Sequence, residues 1–214
     1  MKTFLIVGAG AFGHHLTKFL SQKECEILLV DKNEKHLEPL LSYATSSRIA
    51  DCTDPDALAS FDVPSFDACF VCVDSDFEAA LEITCLLKEM GAKKVFSNAD
   101  RDIRARLLKR NGADVIIYPE RDIAKRIAIN ESSDSVFDSF ELTEEYYVYE
   151  ILVPRKWEGK TIRELDVRAK YGLNVLAEKD QSRIYPISDP NYAFKSGGHI
   201  LVMGSEKEIQ KVID

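Results

Sequence analysis

The sequence predicts an α/β chain: a Rossmann-like, doubly wound parallel sheet, then a crossover helix and a small α+β unit. Three observations carry that expectation. An apolar run, Phe4-Leu5-Ile6-Val7, feeds straight into Gly8-Ala9-Gly10-Ala11-Phe12-Gly13. A second apolar run, Ile27-Leu28-Leu29-Val30, ends in Asp31, about eighteen residues after the last of those glycines. Short apolar runs then alternate with helical patterns as far as residue 118, and the texture changes from Pro119 onward.

The strand candidates of the first part are Thr3–Val7, Glu26–Val30, Ser47–Ala50, Ala68–Val73, Lys94–Ser97 and Asp114–Ile117. Between them, Ala11–Ser21 places Phe12, Leu16, Phe19 and Leu20 on one helical face, and Phe77–Met90 repeats the pattern with Ala80, Leu81, Thr84 and Leu87. Glu120–Ile129 reads as one more amphipathic helix, and the polar stretch Asn130–Ser135 reads as a hinge. Strand-like runs follow at Tyr147–Val153, Asn174–Glu178 and Ile200–Met203, with helical patches at Ile162–Ala169 and Glu206–Ile213. The expected division is residues 1–118, a crossover and hinge over 119–135, and a second domain over 136–214.

Composition excludes several classes. Across 214 residues, 28 basic side chains face 36 acidic ones for a net charge of −8, which gives no footprint for nucleic acid or an anionic membrane. No apolar run approaches the roughly 20 residues that span a bilayer. The apolar start is one short strand followed by glycines rather than the long core of a signal peptide, so a cytoplasmic chain is expected. Cys69 and Cys72 have the CxxC spacing, but three residues apart on a strand they point to opposite faces, which defeats a redox pair or a shared metal.

The glycine run carries the chemistry. Gly8 suits a tight turn, Gly10 lets backbone approach a phosphate, and Gly13 lets helix pack on strand, while the helix N-terminus offers N–H groups and a positive dipole end. Asp31 can accept both ribose hydroxyls of an adenosine and would repel a 2′-phosphate. Asp51 and Asp74 end the third and fourth strands, where ligands of an open parallel sheet gather. Capping of the next helices by Thr53 or Asp54 and by Ser75 or Asp76 fits equally well. His14 and His15 fall in the first turns of that helix, where an imidazole can touch a phosphate or, as expected here, face water; His36 is expected on an exposed helix face, and His199 in a turn without a Cys or carboxylate neighbour in ligand spacing. Gly159-Lys160-Thr161 lacks the upstream glycine of a P-loop, and none of the eight tyrosines has a lysine four residues on, as a short-chain dehydrogenase requires.

Taken together, these residues resemble the RCK (KTN) family, and within it the cytosolic subunits of Ktr and Trk potassium uptake systems. The N-terminal resemblance rests on Ile6–Gly13, Val30-Asp31, Ala50-Asp51-Cys52-Thr53, and Asn111-Gly112-Ala113-Asp114 through Tyr118-Pro119-Glu120-Arg121-Asp122. Its C-terminal part rests on Gly159-Lys160-Thr161, Asp166-Val167-Arg168-Ala169-Lys170-Tyr171-Gly172 and Gly197 ahead of Ile200–Gly204.

The resemblance implies an adenine nucleotide (NAD(H), ADP, AMP or ATP) held by Gly8, Ala9, Gly10, Ala11, Phe12, Gly13, Asp31, Lys32, Asp51, Cys52, Thr53, Val73, Asp74 and Asn98. It implies Mg or Ca beside the phosphates, held by Glu120 between subunits, and cyclic di-AMP at a C-terminal dimer interface with Arg168 as phosphate partner. The implied assembly is a homo-dimer that builds an octameric ring under an integral membrane potassium channel or transporter subunit, with no membrane insertion of its own. Two departures stand out, one at the phosphates and one near the last strand, where the usual Gly-Asp is Gly197-Gly198. ATP-preferring Ktr proteins usually carry an arginine at the position of Ala11 and a lysine at that of Asn98, so ATP switching would need Arg101 or His14 instead. A small NAD-dependent oxidoreductase and a nucleotide or redox sensor with another partner are the alternative readings.

Overall fold

The computed structural model describes residues 1–213. The chain divides into two compact units, Met1–Arg121 and Asp122 onward. The first runs β1 (Lys2–Val7), α1 (Ala11–Leu20), β2 (Cys25–Asp31), α2 (Glu34–Leu37), β3 (Ser46–Ile49), α3 (Pro55–Ala59), β4 (Ala68–Val71), α4 (Phe77–Glu89), β5 (Val95–Asn98), α5 (Asp102–Arg110) and β6 (Val115–Ile117). The helix α6 (Pro119–Glu131) is continuous across the division.

The six strands pair in parallel in the order β3-β2-β1-β4-β5-β6. Both faces are buried, which explains the unbroken apolar runs. Leu5, Val7, Val30, Cys69 and Val71 pack with α4 residues Ala80, Ile83 and Leu87 on one side. Ile6, Ile27, Leu29 and Cys72 pack on the other, with Phe12 and Leu16 of α1. Cys69 and Cys72 thus belong to opposite faces. After β3 the chain crosses back to β4 beside β1, so the carboxyl ends of β1 and β4 flank the point where a doubly wound sheet opens a crevice.

The second unit contains β7 (Val136–Glu141), β8 (Tyr146–Leu152), α7 (Ile162–Leu165), α8 (Val167–Tyr171), β9 (Asn174–Asp180), β10 (Arg183–Pro186), β11 (His199–Ser205) and α9 (Glu206–Ile209). Its strands form an antiparallel sheet in the order β10-β9-β11-β8-β7. Trp157, Tyr149, Ile151, Phe194 and Val202 fill the core on one face of that sheet. The helical patch expected over Ile162–Ala169 is two short helices, because Asp166 takes a left-handed conformation (φ 48°) that breaks the run. β7 and β10 went unread in the sequence. Within this unit α6 is tied to β7: Arg126 donates to both Asp138 oxygens at 2.9 and 2.7 Å, and Lys125 donates to Glu141 at 2.6 Å. Among the described residues no helix is long and apolar enough to cross a membrane.

Candidate functional site

The glycine turn lies between β1 and α1, and its three glycines have different reasons to be glycine. Gly8 has φ +99°, and a Cβ there would stand 2.6 Å from the Cys72 carbonyl oxygen. A Cβ on Gly13 would collide with the Gly8 carbonyl, so both positions are demanded by the protein's own packing. Gly10 differs. Its φ of −64° suits any residue, and the nearest atom to a Cβ is Asp74 Oδ2 at 3.6 Å, an ordinary contact. A Cβ there would meet only ordinary contacts, so the packing does not require glycine. Gly10 is also the N-cap of α1, so that turn has no side-chain cap for its N–H groups. An open approach over uncapped N–H groups is the geometry that accepts an anion.

Asp31 is built into this turn. Its Oδ2 accepts the Ala9 N–H at 2.7 Å, Oδ1 accepts the Asn33 N–H at 2.8 Å, and His36 Nδ1 stands 3.3 Å from both oxygens. His36 is half exposed, as expected for a surface helix, yet its ring faces the carboxylate rather than water alone. Asp51 accepts the Thr53 hydroxyl at 2.7 Å and the Thr53 N–H at 3.0 Å. Those bonds, the hydroxyl first, hold the Asp51 carboxyl below its ordinary range against a smaller effect of burial, and Lys32 adds to them. The capping roles fall to Asp54, which accepts from Asp56 N, and Asp76, which accepts from Ala79 N. Asp51 and Asp74 are thereby left out of capping.

Asp74 Oδ1 accepts Asn98 Nδ2 at 2.8 Å. Burial raises the Asp74 carboxyl above its ordinary value, the Asn98 bond offsets part of that, and the charge of Glu120 raises it further. The cation counterparts are scarce. Ala11 carries no charge, and the His14 imidazole is lowered from its ordinary value by desolvation, then by Lys18 and His15. Arg101 is exposed and stands 3.6 Å from Asp100. Val73, Asp74, Asn98 and Glu120 line one cleft beyond β4 and β5. Among the described residues no cluster of three His, Cys, Asp or Glu side chains has metal-binding geometry.

Three of the thiols are buried. Burial pushes Cys52 and Cys69 up to about 12 and raises Cys72 as well, so none supplies a thiolate near neutral pH. In the second unit Arg168 lies exposed on α8. His199 is not in a turn. It opens β11, where Nδ1 stands 2.9 Å from Glu150 Oε1 on β8, and Lys179 of β9 donates to the other oxygen of that buried carboxylate. Sheet pairing brings that carboxylate to His199 from 49 positions away, outside any ligand spacing along the chain.

Fold and turn define the class: a Rossmann-type domain with a dinucleotide-type glycine turn, followed by a small α+β domain. Residues 4–119 match the TrkA-N domain family and residues 147–214 the TrkA-C domain family, and the chain belongs to that TrkA-N/TrkA-C (RCK) family. It is 33% identical over 210 residues to Ktr system potassium uptake protein C of Bacillus subtilis, across 98% of this chain and 95% of that one. Ktr system potassium uptake protein A of Vibrio alginolyticus is 28% identical over 208 residues, across 97% and 94%. Among solved structures, the GsuK channel bound to NAD superposes with a TM-score of 0.69 at 14% identity over all of this chain. The GsuK RCK domain gives 0.67 at 14% over 99%. This chain spans 39% and 47% of those longer chains, respectively, and the likeness to them is one of fold.

Proposed function

We propose that this chain is the cytoplasmic, nucleotide-sensing regulatory subunit of a Ktr-type potassium uptake system, with no chemistry of its own. The observation that carries the reading is Gly10: a glycine that the packing does not require, over uncapped N–H groups, beside a ribose-type carboxylate already locked to the turn through Ala9. Full-length similarity to Ktr potassium uptake proteins supports the partner class, an integral membrane potassium channel or transporter subunit, through which the chain would lie at the inner membrane face.

In this reading an adenine nucleotide lies across Gly8–Gly13, with Asp31 on its ribose and Asp51, Cys52 and Thr53 at the adenosine end. NAD(H), ADP, AMP and ATP all fit that half of the site; Glu120 is the candidate holder of a divalent cation and Arg168 of cyclic di-AMP. Residues 1–118 bind nucleotide, 119–135 cross over, and 136–214 dimerise, with α6 leaving Ile123 and Ile127 more than half exposed for a partner copy. Dimers would build an octameric ring, and nucleotide would shift it by binding one ring state better than another. Calorimetric titration with NAD+, NADH, AMP, ADP and ATP tests the reading: micromolar binding of at least one, lost in Gly10→Val, supports it. Absence of binding by all five would refute it.

A further inference from the structure

The cleft beyond the ends of β4 and β5 has the wrong charge for a bare terminal phosphate. Asp74, Asp100 and Glu120 line it. The base among its lining residues, Arg104, is committed: its Nη1 donates to Asp100 at 2.9 Å, and its guanidinium lies 5.0 Å over the Phe77 ring. Asp74 stands at the mouth of the phosphate turn, since its Oδ2 is 3.6 Å from where a Gly10 Cβ would be. Asn98, only 8% exposed, spends its amide N–H on Asp74 and leaves Oδ1 buried without a partner.

The ionisable groups that line this cleft are therefore mainly carboxylate acceptors, with Asn98 holding Asp74 in place. Carboxylates can accept from hydroxyl or amide N–H groups, whereas a phosphate ionised at neutral pH brings only acceptors and negative charge. Against an acidic, partly desolvated lining that repulsion is not screened as it is in water.

We propose that Asp74 and Asn98 set the ligand class of this site: they admit the hydrogen-bond-donating second nucleoside of a dinucleotide, with its hydroxyls and carboxamide, and exclude an unneutralised terminal phosphate. Discrimination then comes from a repulsive element as much as from an attractive one. The raised Asp74 carboxyl fits this position, since a carboxylate crowded by burial and by Glu120 is stabilised by donors and not by more negative charge.

This rests on the nucleotide reading above, and one experiment separates the two. The full chain is titrated calorimetrically with NAD+, ATP and AMP in the presence of a chelator, as wild type, Asp74→Asn and Asp74→Ser, with circular dichroism to check folding. Wild type is expected to bind NAD+ at least tenfold more tightly than ATP. Both variants are expected to narrow that ratio at least fivefold, chiefly by gaining ATP affinity. If AMP binds but the ratio is the same in wild type and in whichever variant folds, the selectivity proposal falls and nucleotide binding stands. If none of the three binds wild type, both fall.

Discussion

The Asp31 carboxylate accepts the Ala9 backbone N–H at 2.7 Å, so this acid and the glycine turn are one mechanical unit. A carboxylate oxygen has a further lone pair, and Asp31 can hold the turn and still accept a ribose hydroxyl. Asp31→Ala therefore removes two things at once, the proposed ribose acceptor and the tether of the turn. Bonds to a charged group are worth roughly 1.5–3 kcal/mol, so nucleotide affinity is expected to fall more than tenfold. Unchanged affinity by calorimetry would place the nucleotide elsewhere.

Gly13→Ala and Gly10→Ala are expected to separate folding from binding. The first drives a methyl into the Gly8 carbonyl and should cost about 3 kcal/mol, the upper end of overpacking penalties. The second meets nothing closer than 3.6 Å and should melt within a few degrees of wild type, yet bind nucleotide at least tenfold more weakly. Equal stability losses in the two proteins, measured by thermal unfolding, would show that Gly10 is structural after all.

In the proposed site Ala11 and Asn98 would offer outer phosphates no cation, so ATP is expected to show little advantage over ADP, and NADH should compete with both. Ala11→Arg puts a guanidinium on the first turn of α1 and should restore part of a triphosphate preference. A wild-type affinity for ATP a hundredfold above that for ADP would contradict this.

Which parts of the molecule the sequence discloses follows from how local each signal is. The parallel sheet is legible because strands buried on both faces must be apolar throughout, as in Leu5-Ile6-Val7 and Leu28-Leu29-Val30. β7 is not, because Phe137 and Phe140 are half exposed, Asp138 turns to Arg126, and a bulge between Val136 and Asp138 breaks the alternation. β10 has every position exposed and so carries no burial pattern. At the site, the glycines and Asp31 are legible from spacing alone. The Asp74–Asn98 bond, His36 on Asp31 and His199 on Glu150 are tertiary pairings, and no local pattern encodes them.

The Arg126–Asp138 pair gives a pH signature for the second unit. Arg126 bonding first, opposed by burial and then helped by Ser139 N–H and Asn130, holds the Asp138 carboxyl below its ordinary 3.8. A depressed carboxyl stabilises the fold above the unfolded value and loses that contribution as pH falls through the folded one. Arg126→Gln should therefore melt below wild type at pH 7, and the gap should close below pH 3.8. A gap independent of pH in thermal melts would mean that Arg126 acts by packing.

Ile123 and Ile127 are 57% and 56% exposed one helical turn apart on α6, an apolar stripe that a second copy would cover. Ile127→Asp should convert dimers to monomers by light scattering while the parallel-sheet unit stays folded. A wild type that is monomeric at micromolar concentration, with and without nucleotide, would remove the basis for a ring.

Regulation of potassium flux by nucleotide is tested most directly in vesicles that contain a Ktr-type membrane subunit and report potassium entry. With wild-type chain bound, adding NAD+ or ADP is expected to change the rate of entry severalfold, and with Gly10→Ala to leave it flat. The same rate with and without nucleotide, for a wild-type chain shown to be bound to the membrane subunit, would contradict a gating role.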